Sequence, residues 1–185
     1  MEFDVRVAGP QDFDHAEAVS RLIEEAAHIR GTGIAQRPPE YIRQKMSEGK
    51  AVIALEAGNL AGFCYIETWG EKEYVANSGL IVADEYRNMG LARRIKRAAF
   101  DLSREKYPEA KLFGITTSLA VMKINSDLGY KPVTFSELTQ DDVFWQGCRS
   151  CPNFDVLSRT QKKHCLCTGM LYDPSKERPG EGRSE

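Results

Sequence analysis

The fold of this 185-residue chain is decided by one stretch, Leu80-Ile81-Val82-Ala83-Asp84-Glu85-Tyr86-Arg87-Asn88-Met89-Gly90-Leu91-Ala92. Its apolar start is typical of a β-strand ending at Val82, and apolar residues after Gly90 recur at helical spacing. Glycine at position 90 permits a positive φ or a close backbone approach. The first amides of a helix lack internal partners and lie at the positive end of its dipole. The stretch therefore predicts an anion site on a turn between a strand and a helix.

The elements around this stretch predict an α/β fold with a mixed central sheet flanked by helices. Hydrophobic periodicity and turn signals predict strands at residues 3–7, 51–56, 60–68, 74–82, 111–117, 131–135 and 166–172. In the helix after Gly90, Leu91, Ile95 and Leu102 share the apolar face, and Lys96 is predicted on the solvent side with its neighbouring arginines. One domain is expected over residues 1–173, with a Cys-rich elaboration at 140–167 and a disordered polar tail at 174–185.

Composition excludes several classes of protein. The net charge of −2 lacks the basic excess of a nucleic-acid binder. No apolar run is long enough to cross a bilayer, and the first residues lack the features of a secretory signal. We therefore expect a cytoplasmic protein with no nucleic-acid and no membrane partner, and a homodimer is the assembly to test.

A second segment, residues 118–130, ends in Asp127-Leu128-Gly129-Tyr130, a predicted helix stopped by glycine. Arg87, Gly90 and Ala92 fit the pattern [QR]-x-x-G-x-[GA], and the two segments together resemble the general N-acetyltransferase (GNAT) superfamily. Overall similarity is greatest to its N-acetylglutamate-synthase-like members. The resemblance spans residues 3–135, about two-thirds of the chain.

The resemblance implies an acyl-CoA N-acyltransferase that moves an acetyl or similar group from acetyl-CoA to a primary amine. The pantetheine arm would run along the end of the fourth predicted strand, at residues 80–82, where the amide of Leu80 or Ile81 would bind the thioester oxygen. Ser118 and Asn125, in the second segment, are further predicted contacts of the cofactor. The implied cofactor-binding residues on the first stretch are Leu80, Ile81, Val82, Arg87, Asn88, Met89, Gly90, Leu91 and Ala92.

Two proton-transfer residues depart from the family pattern: the tyrosine that protonates the leaving thiolate and the glutamate that acts as general base. Many relatives carry a tyrosine at the position of Asn125, and some carry a glutamate base at the position of Asn77. Glu67 and Glu73 lie on neighbouring strand segments and are predicted to act through water, together with the Leu80 amide as catalytic groups.

The acceptor is predicted from the loop between the first two helices, which covers the acceptor site in the superfamily. Arg30 and Arg37 in this loop can clamp carboxylates in bidentate fashion, which favours a small amino acid such as glutamate. Two alternatives stay open from sequence: a protein or peptide N-acetyltransferase, and a non-catalytic CoA-binding sensor or interaction module.

Four cysteines are clustered near the C-terminus, at Cys148, Cys151, Cys165 and Cys167. The spacing C-x2-C-x13-C-x-C fits four thiolates around a structural Zn²⁺. The family resemblance does not support this site. An iron–sulfur site, a redox dithiol pair and buried free thiols are the alternatives.

Overall fold

A computed structural model describes residues 2–30 and 37–177, except for the side chain of Arg30. The strands are β1 (Phe3–Val7), β2 (Ala51–Glu56), β3 (Asn59–Trp69), β4 (Tyr74–Val82), β5 (Lys111–Thr116), β6 (Lys131–Val133) and β7 (Thr168–Tyr172). The helices are α1 (Ala16–Arg30), α2 (Pro39–Ser47), α3 (Leu91–Lys106), α4 (Leu119–Asp127), α5 (Asp142–Gln146) and α6 (Phe154–Arg159).

The strands form one sheet in the order β1-β2-β3-β4-β5-β7-β6. β4 and β5, which α3 connects, pair in parallel, and the other neighbours pair antiparallel. The predicted mixed sheet flanked by helices is confirmed. A single parallel pair needs a crossover, and α3 supplies it.

The helices cover both faces of the sheet. On one face, α3 and α4 pack on alternate strand residues that include Val52, Ile66 and Leu112. On the opposite face, α1 and α2 cover the β1–β3 side around Phe63. The segment with α5 and α6 covers the β5–β7 side of that same face around Phe113. The alternation of buried side chains along each strand thus produces separate clusters on the two faces.

The segment 140–167 is more ordered than the sequence indicates. It contains α5 and α6, and the buried indole of Trp145 in α5 donates a hydrogen bond to the carbonyl of Thr139 at 2.8 Å. The start of the predicted tail is also ordered. Pro174–Lys176 forms a 3₁₀ turn, and the hydroxyl of Tyr172 hydrogen-bonds to Glu177. Residues 178–185 lie outside the described part of the chain.

None of the described helices combines the length and the apolar character that crossing a membrane requires.

Candidate active site

A gap opens in the middle of the sheet between β4 and β5. The two strands pair only from Tyr74 to Ala76 on β4, against Lys111 to Phe113 on β5. Beyond this point β4 continues alongside β3 only, and β5 continues alongside β7 only. The facing backbone groups of β4 from Asn77 onward are therefore unpaired by β5, and an extended ligand can add there as a strand would.

A β-bulge lies on β4 beside the gap. Pairing with β3 is regular up to Ser78 opposite Tyr65 and resumes at Ile81 opposite Phe63, with a register shift between them. Gly79 has φ of +65°, and a Cβ there would stand 2.7 Å from the Tyr65 ring. A bulge redirects local backbone groups. Leu80, the predicted oxyanion donor, lies within this bulge.

The predicted anion turn follows β4. A 3₁₀ turn at Asp84–Tyr86 leads to Asn88 with φ of +62° and Gly90 with φ of +77°, and α3 begins at Leu91. A Cβ on Gly90 would meet no atom within 4 Å. Open space next to the first turn of a long helix is what an anion site requires. The Arg87 side chain pairs with Asp84 at 2.6 Å.

One cavity of about 540 Å³ extends from the gap to the face of the sheet that α1 and α2 cover. Its volume is within the range of small-molecule sites. In the described part of the chain, two buried side-chain polar atoms have no hydrogen-bond partner: Trp69 Nε1 and Asn125 Oδ1. Both residues line this cavity. Because buried polar atoms are normally paired, these two atoms are available to a ligand or a water in the cavity.

The cavity wall on the α1–α2 side contains a cluster of charged and aromatic side chains. Lys45, which is 4% exposed, binds Glu67 Oε1 through its Nζ at 2.6 Å, and the Tyr41 hydroxyl binds the other oxygen of Glu67. Arg37 Nε binds the Tyr65 hydroxyl, and the Arg37 guanidinium lies over the Tyr41 and Tyr65 rings at 5.3 and 5.6 Å. Burial raises the pKa of both tyrosines, so both hydroxyls stay protonated at neutral pH.

Of the predicted catalytic and cofactor residues, Glu67, Leu80, Ser118 and Asn125 line this cavity. Arg37, from the predicted acceptor loop, lines it as well, whereas Ile81, Val82 and the turn residues 87–92 do not. The Ser118 hydroxyl also caps α4 by accepting from the Val121 amide at 3.4 Å.

Glu73 does not line the cavity, so the structure does not bring it to the other predicted catalytic groups. It lies in the turn before β4, where its exposed carboxylate is 3.5 Å from Lys111 Nζ. Next to Glu73, β4 pairs with both β3 and β5, so the gap does not extend to this end of the sheet. The side chain of Arg30 and the loop residues 31–36 lie outside the described part of the chain.

Lys96 corrects another prediction. The sequence places it on the solvent side of α3, but it is 2% exposed and lines the cavity. Its position, three residues before Ala99 and seven before Ser103, is on the edge of the apolar face. Both of those residues are buried. A prediction that the buried face of α3 extends beyond its apolar residues would have included Lys96.

The four cysteines border the far end of the cavity. All are free thiols. Burial raises the pKa of Cys148 to about 11 and that of Cys167 to about 12, and the neighbouring cysteines add to both shifts. Within residues 2–30 and 37–177, however, no group of three or more Cys, His, Asp or Glu side chains is arranged to hold a metal ion. The structure gives the zinc site no support, and zinc stays a prediction.

The model of the Acetyltransferase (GNAT) family matches residues 18–121, more than half of the chain and including β4, the anion turn, the gap and the start of α4. The chain belongs to the GNAT acetyltransferase family. Its enzyme class is therefore that of an acyl-CoA N-acyltransferase. No curated protein sequence matches this GNAT protein.

Solved structures share the fold of this GNAT protein at low identity. N-acetylglutamate synthase from Neisseria gonorrhoeae, complexed with coenzyme A and N-acetyl-glutamate, has a TM-score of 0.64 at 18% identity, over 94% of this chain and 35% of that chain. This chain thus spans about a third of that synthase.

Two further structures match over nearly their whole length. Diaminobutyrate acetyltransferase EctA from Paenibacillus lautus, in complex with L-2,4-diaminobutyric acid and coenzyme A, has a TM-score of 0.61 at 12% identity, over 97% of this chain and 99% of that chain. The ribosomal-protein-S18-alanine N-acetyltransferase from Escherichia coli has a TM-score of 0.57 at 11% identity, over 98% of this chain and 100% of that chain. These similarities establish the fold alone, because proteins that share it use different acceptors.

Proposed function

We propose that this GNAT protein transfers an acetyl group from acetyl-CoA to the α-amino group of a small acidic amino acid, with glutamate as the leading acceptor. The observation that carries the proposal is one continuous cavity, which joins the β4–β5 gap to a wall containing Arg37. The cofactor would enter from the α3–α4 face and the acceptor from the α1–α2 face. The thioester and the amine would then meet in the gap.

The proposed contacts with the cofactor rest on the geometry of the backbone. The amides of the turn from Arg87 to Ala92 would hold the pyrophosphate, since the first turn of a helix presents unpaired donors and a positive dipole. The pantetheine arm would lie along the unpaired edge of β4, from Asn77 to Val82. The amide of Leu80, in the bulge, would donate to the thioester oxygen as negative charge develops on it.

The proposed contacts with the acceptor rest on the charges of the cavity wall. Glu67 and Lys45 form an ion pair, so their charges offset each other. Arg37 adds a further positive charge to the wall, and an arginine suits a carboxylate in planar, two-point contact. The small amino-acid ligands of the two amino-acid acetyltransferases with this fold are consistent with an acceptor of this size. Glu67 is the carboxylate that the described residues bring to the cavity, and we propose that it takes the amine proton through water.

Thiol release from acetyl-CoA across a panel of amino acids and peptides tests the proposal. Succinyl-CoA is run in parallel, because the acyl group is open. We expect turnover with glutamate or aspartate above neutral amino acids and above peptides. Preferred turnover of peptides would establish a protein acetyltransferase instead. Tight CoA binding without turnover of any amine would establish a CoA sensor.

The variant Arg37→Gln tests the carboxylate contact. We expect the KM for the acidic amino acid to rise about 10- to 100-fold, as for loss of one charge-assisted contact, with little change in the KM for acetyl-CoA. Arg43→Gln is the matched control, since Arg43 pairs with Glu17 outside the cavity. Equal losses of activity on acidic and neutral amino acids would show that Arg37 does not read the carboxylate.

We also propose, on sequence spacing, that Cys148, Cys151, Cys165 and Cys167 bind a structural Zn²⁺. All four residues border the cavity, and metal binding would bring their thiolates closer together than they are in the structure. Elemental analysis of purified protein should find one zinc per chain, and Cys148→Ser with Cys151→Ser should abolish it. Protein without metal that is fully folded would overturn the site and leave the cysteines as packing residues.

Domain limits of 1–173, a cytoplasmic location and a homodimer stay predictions. Size-exclusion chromatography with light scattering would decide the assembly.

A further inference from the structure

Lys96 is a lysine in the interior of the protein, on the cofactor side of the sheet. It projects from α3 and is 2% exposed, and its Nζ lies 5.0 Å from the centre of the Tyr130 ring. No carboxylate in the described part of the chain forms an ion pair with it. A buried lysine without a counter-charge is costly for a fold.

The hydrogen bonds around Lys96 do not depend on it. Asn77 Oδ1 accepts from Lys96 Nζ and from the Tyr130 hydroxyl, each at 3.0 Å. The Asn77 amide nitrogen donates to Ser103 Oγ at 2.9 Å, and Ser103 in turn donates to the carbonyl of Ala99 at 2.7 Å. Without the lysine, every one of these groups would keep a partner. Satisfying its neighbours therefore does not explain why a lysine is there.

Lys96 lies beside the gap between β4 and β5. Asn77, which holds its Nζ, is the first β4 residue past the last pair with β5. Lys96, Asn77 and Asn125 all line the cavity, and Asn125 Oδ1 is one of the unpartnered buried atoms. The two asparagines occupy the positions where relatives carry a glutamate and a tyrosine. The structure therefore has an ammonium group at the cofactor end of the gap and no carboxylate or tyrosine at those two positions.

We propose that Lys96 is the acid that protonates the thiolate of CoA as it leaves. This inference rests on the proposed acetyl transfer. The amine attacks the thioester carbon to form a C–N bond, and the C–S bond then breaks with its electron pair on sulfur. An N–H bond of the Lys96 ammonium breaks as the S–H bond of CoA forms. The acceptor amine, protonated in solution, loses one proton before it attacks and a second one, through water to Glu67 and then to solvent, as the C–N bond forms. Lys96 regains one proton from solvent, so each turnover releases one proton.

The environment of Lys96 suits a proton donor. Burial lowers its pKa from 10.5 to about 8, near that of an ordinary thiol. The titratable groups that face it are the Cys64 thiol from β3 and the Tyr130 hydroxyl, while β4 presents Asn77. Burial raises the pKa of Cys64 to about 11 and that of Tyr130 well above its usual value. Of these groups, Lys96 is the one that titrates near pH 8.

Lys96→Met is the first test, because methionine fills the space without a charge and should fold. We expect kcat to fall about 100-fold or more, with the affinity for CoA retained. The wild-type kcat should decline as pH rises through about 8, where the ammonium deprotonates, and this decline should be absent in the variant. Lys96→Arg should keep the charge yet also lose the decline, since a guanidinium does not deprotonate there.

Lys106→Met is the matched control, an exposed lysine at the end of the same helix. It should leave kcat and the pH profile unchanged. Wild-type-like kcat and an alkaline decline in Lys96→Met would overturn the inference and leave acetyl transfer standing.

A second measurement does not need turnover. The thiolate absorbance of bound CoA is titrated against pH, with desulfo-CoA complexes as the blank for the protein's own thiols. A neighbouring ammonium stabilises the thiolate, so the midpoint should lie about one pH unit lower in wild type than in Lys96→Met. Equal midpoints would overturn the inference. Absence of turnover with this shift present would instead refute the proposed acceptor reaction alone.

Discussion

At the scale of single residues, Gly90 shows how one backbone angle controls the cofactor turn. Its φ of +77° is in the left-handed region, and its surroundings are open. Gly90→Ala would therefore create strain without a clash. We expect the free energy of unfolding to fall by about 1 kcal/mol. We also expect the affinity for CoA to fall several-fold, because relief of the strain would turn the first amides of α3. Chemical denaturation and calorimetry measure the two effects.

Gly147 offers the matched control for this substitution. It is also surrounded by open space, but its φ of −60° and ψ of −21° suit any residue. Gly147→Ala should leave CoA affinity unchanged and stability equal or slightly higher. If the two alanine variants bound CoA equally well, the turn at Gly90 would not be the anion site.

The position of a residue in the fold could be predicted where its surroundings follow from its own element. Gly90, Leu80 and Asn125 lie on a strand–turn–helix unit and a helix that the sequence marks locally. The sequence placed Lys96 in solvent and Glu73 among the catalytic groups, because neither the packing of α3 nor the paired end of β4 has a local signal. A lysine next to an apolar face is normally solvated, and only the packing of α3 on β3 and β4 removes it from water.

At the scale of elements, the order of strands and helices could be predicted because each has a clear period. β2, β3 and β4 alternate or run apolar between turn residues, and α3 has a strong apolar face. The gap between β4 and β5 has no local signal, since it arises from how two strands twist apart after sharing three residue pairs. The position of the pantetheine arm along β4 was implied by the family resemblance rather than by periodicity.

The short helices α5 and α6 were missed for a different reason. With five and six residues, they are too short to show a helical period. Tertiary contacts stabilise them instead: the Phe144 ring packs edge-on against Trp69 at 5.4 Å and Phe113 at 5.0 Å. These contacts place the Cys-rich segment as one wall of the cavity. The segment is thus an element of the candidate site, which the spacing of the cysteines alone did not indicate.

At the scale of the whole molecule, a buried ion pair connects the edge of the sheet to the first helix. Asp12, which is 2% exposed, lies in the 3₁₀ turn between β1 and α1 and accepts from Arg6 at 2.7 and 2.8 Å. It also accepts from the Gly9 amide at 2.9 Å. The Arg6 hydrogen bonds, helped by the amide, lower the pKa of Asp12 despite its burial. A carboxyl whose folded pKa is lowered stabilises the fold above its ordinary pKa, and this stabilisation is lost as pH falls through the folded value.

Asp12→Asn should therefore destabilise the whole domain at pH 7 and have a much smaller effect in acid. Because the Arg6 side chain is 34% exposed, solvent screens part of the interaction, and we expect a loss of about 1–2 kcal/mol at pH 7. Denaturation midpoints at pH 7 and pH 3 measure the difference. Asp101→Asn makes the same chemical change at an exposed position on α3 and should have little effect at either pH. An equal loss for Asp12→Asn at both pH values would mean that packing, rather than the charge of Asp12, connects the sheet edge to α1.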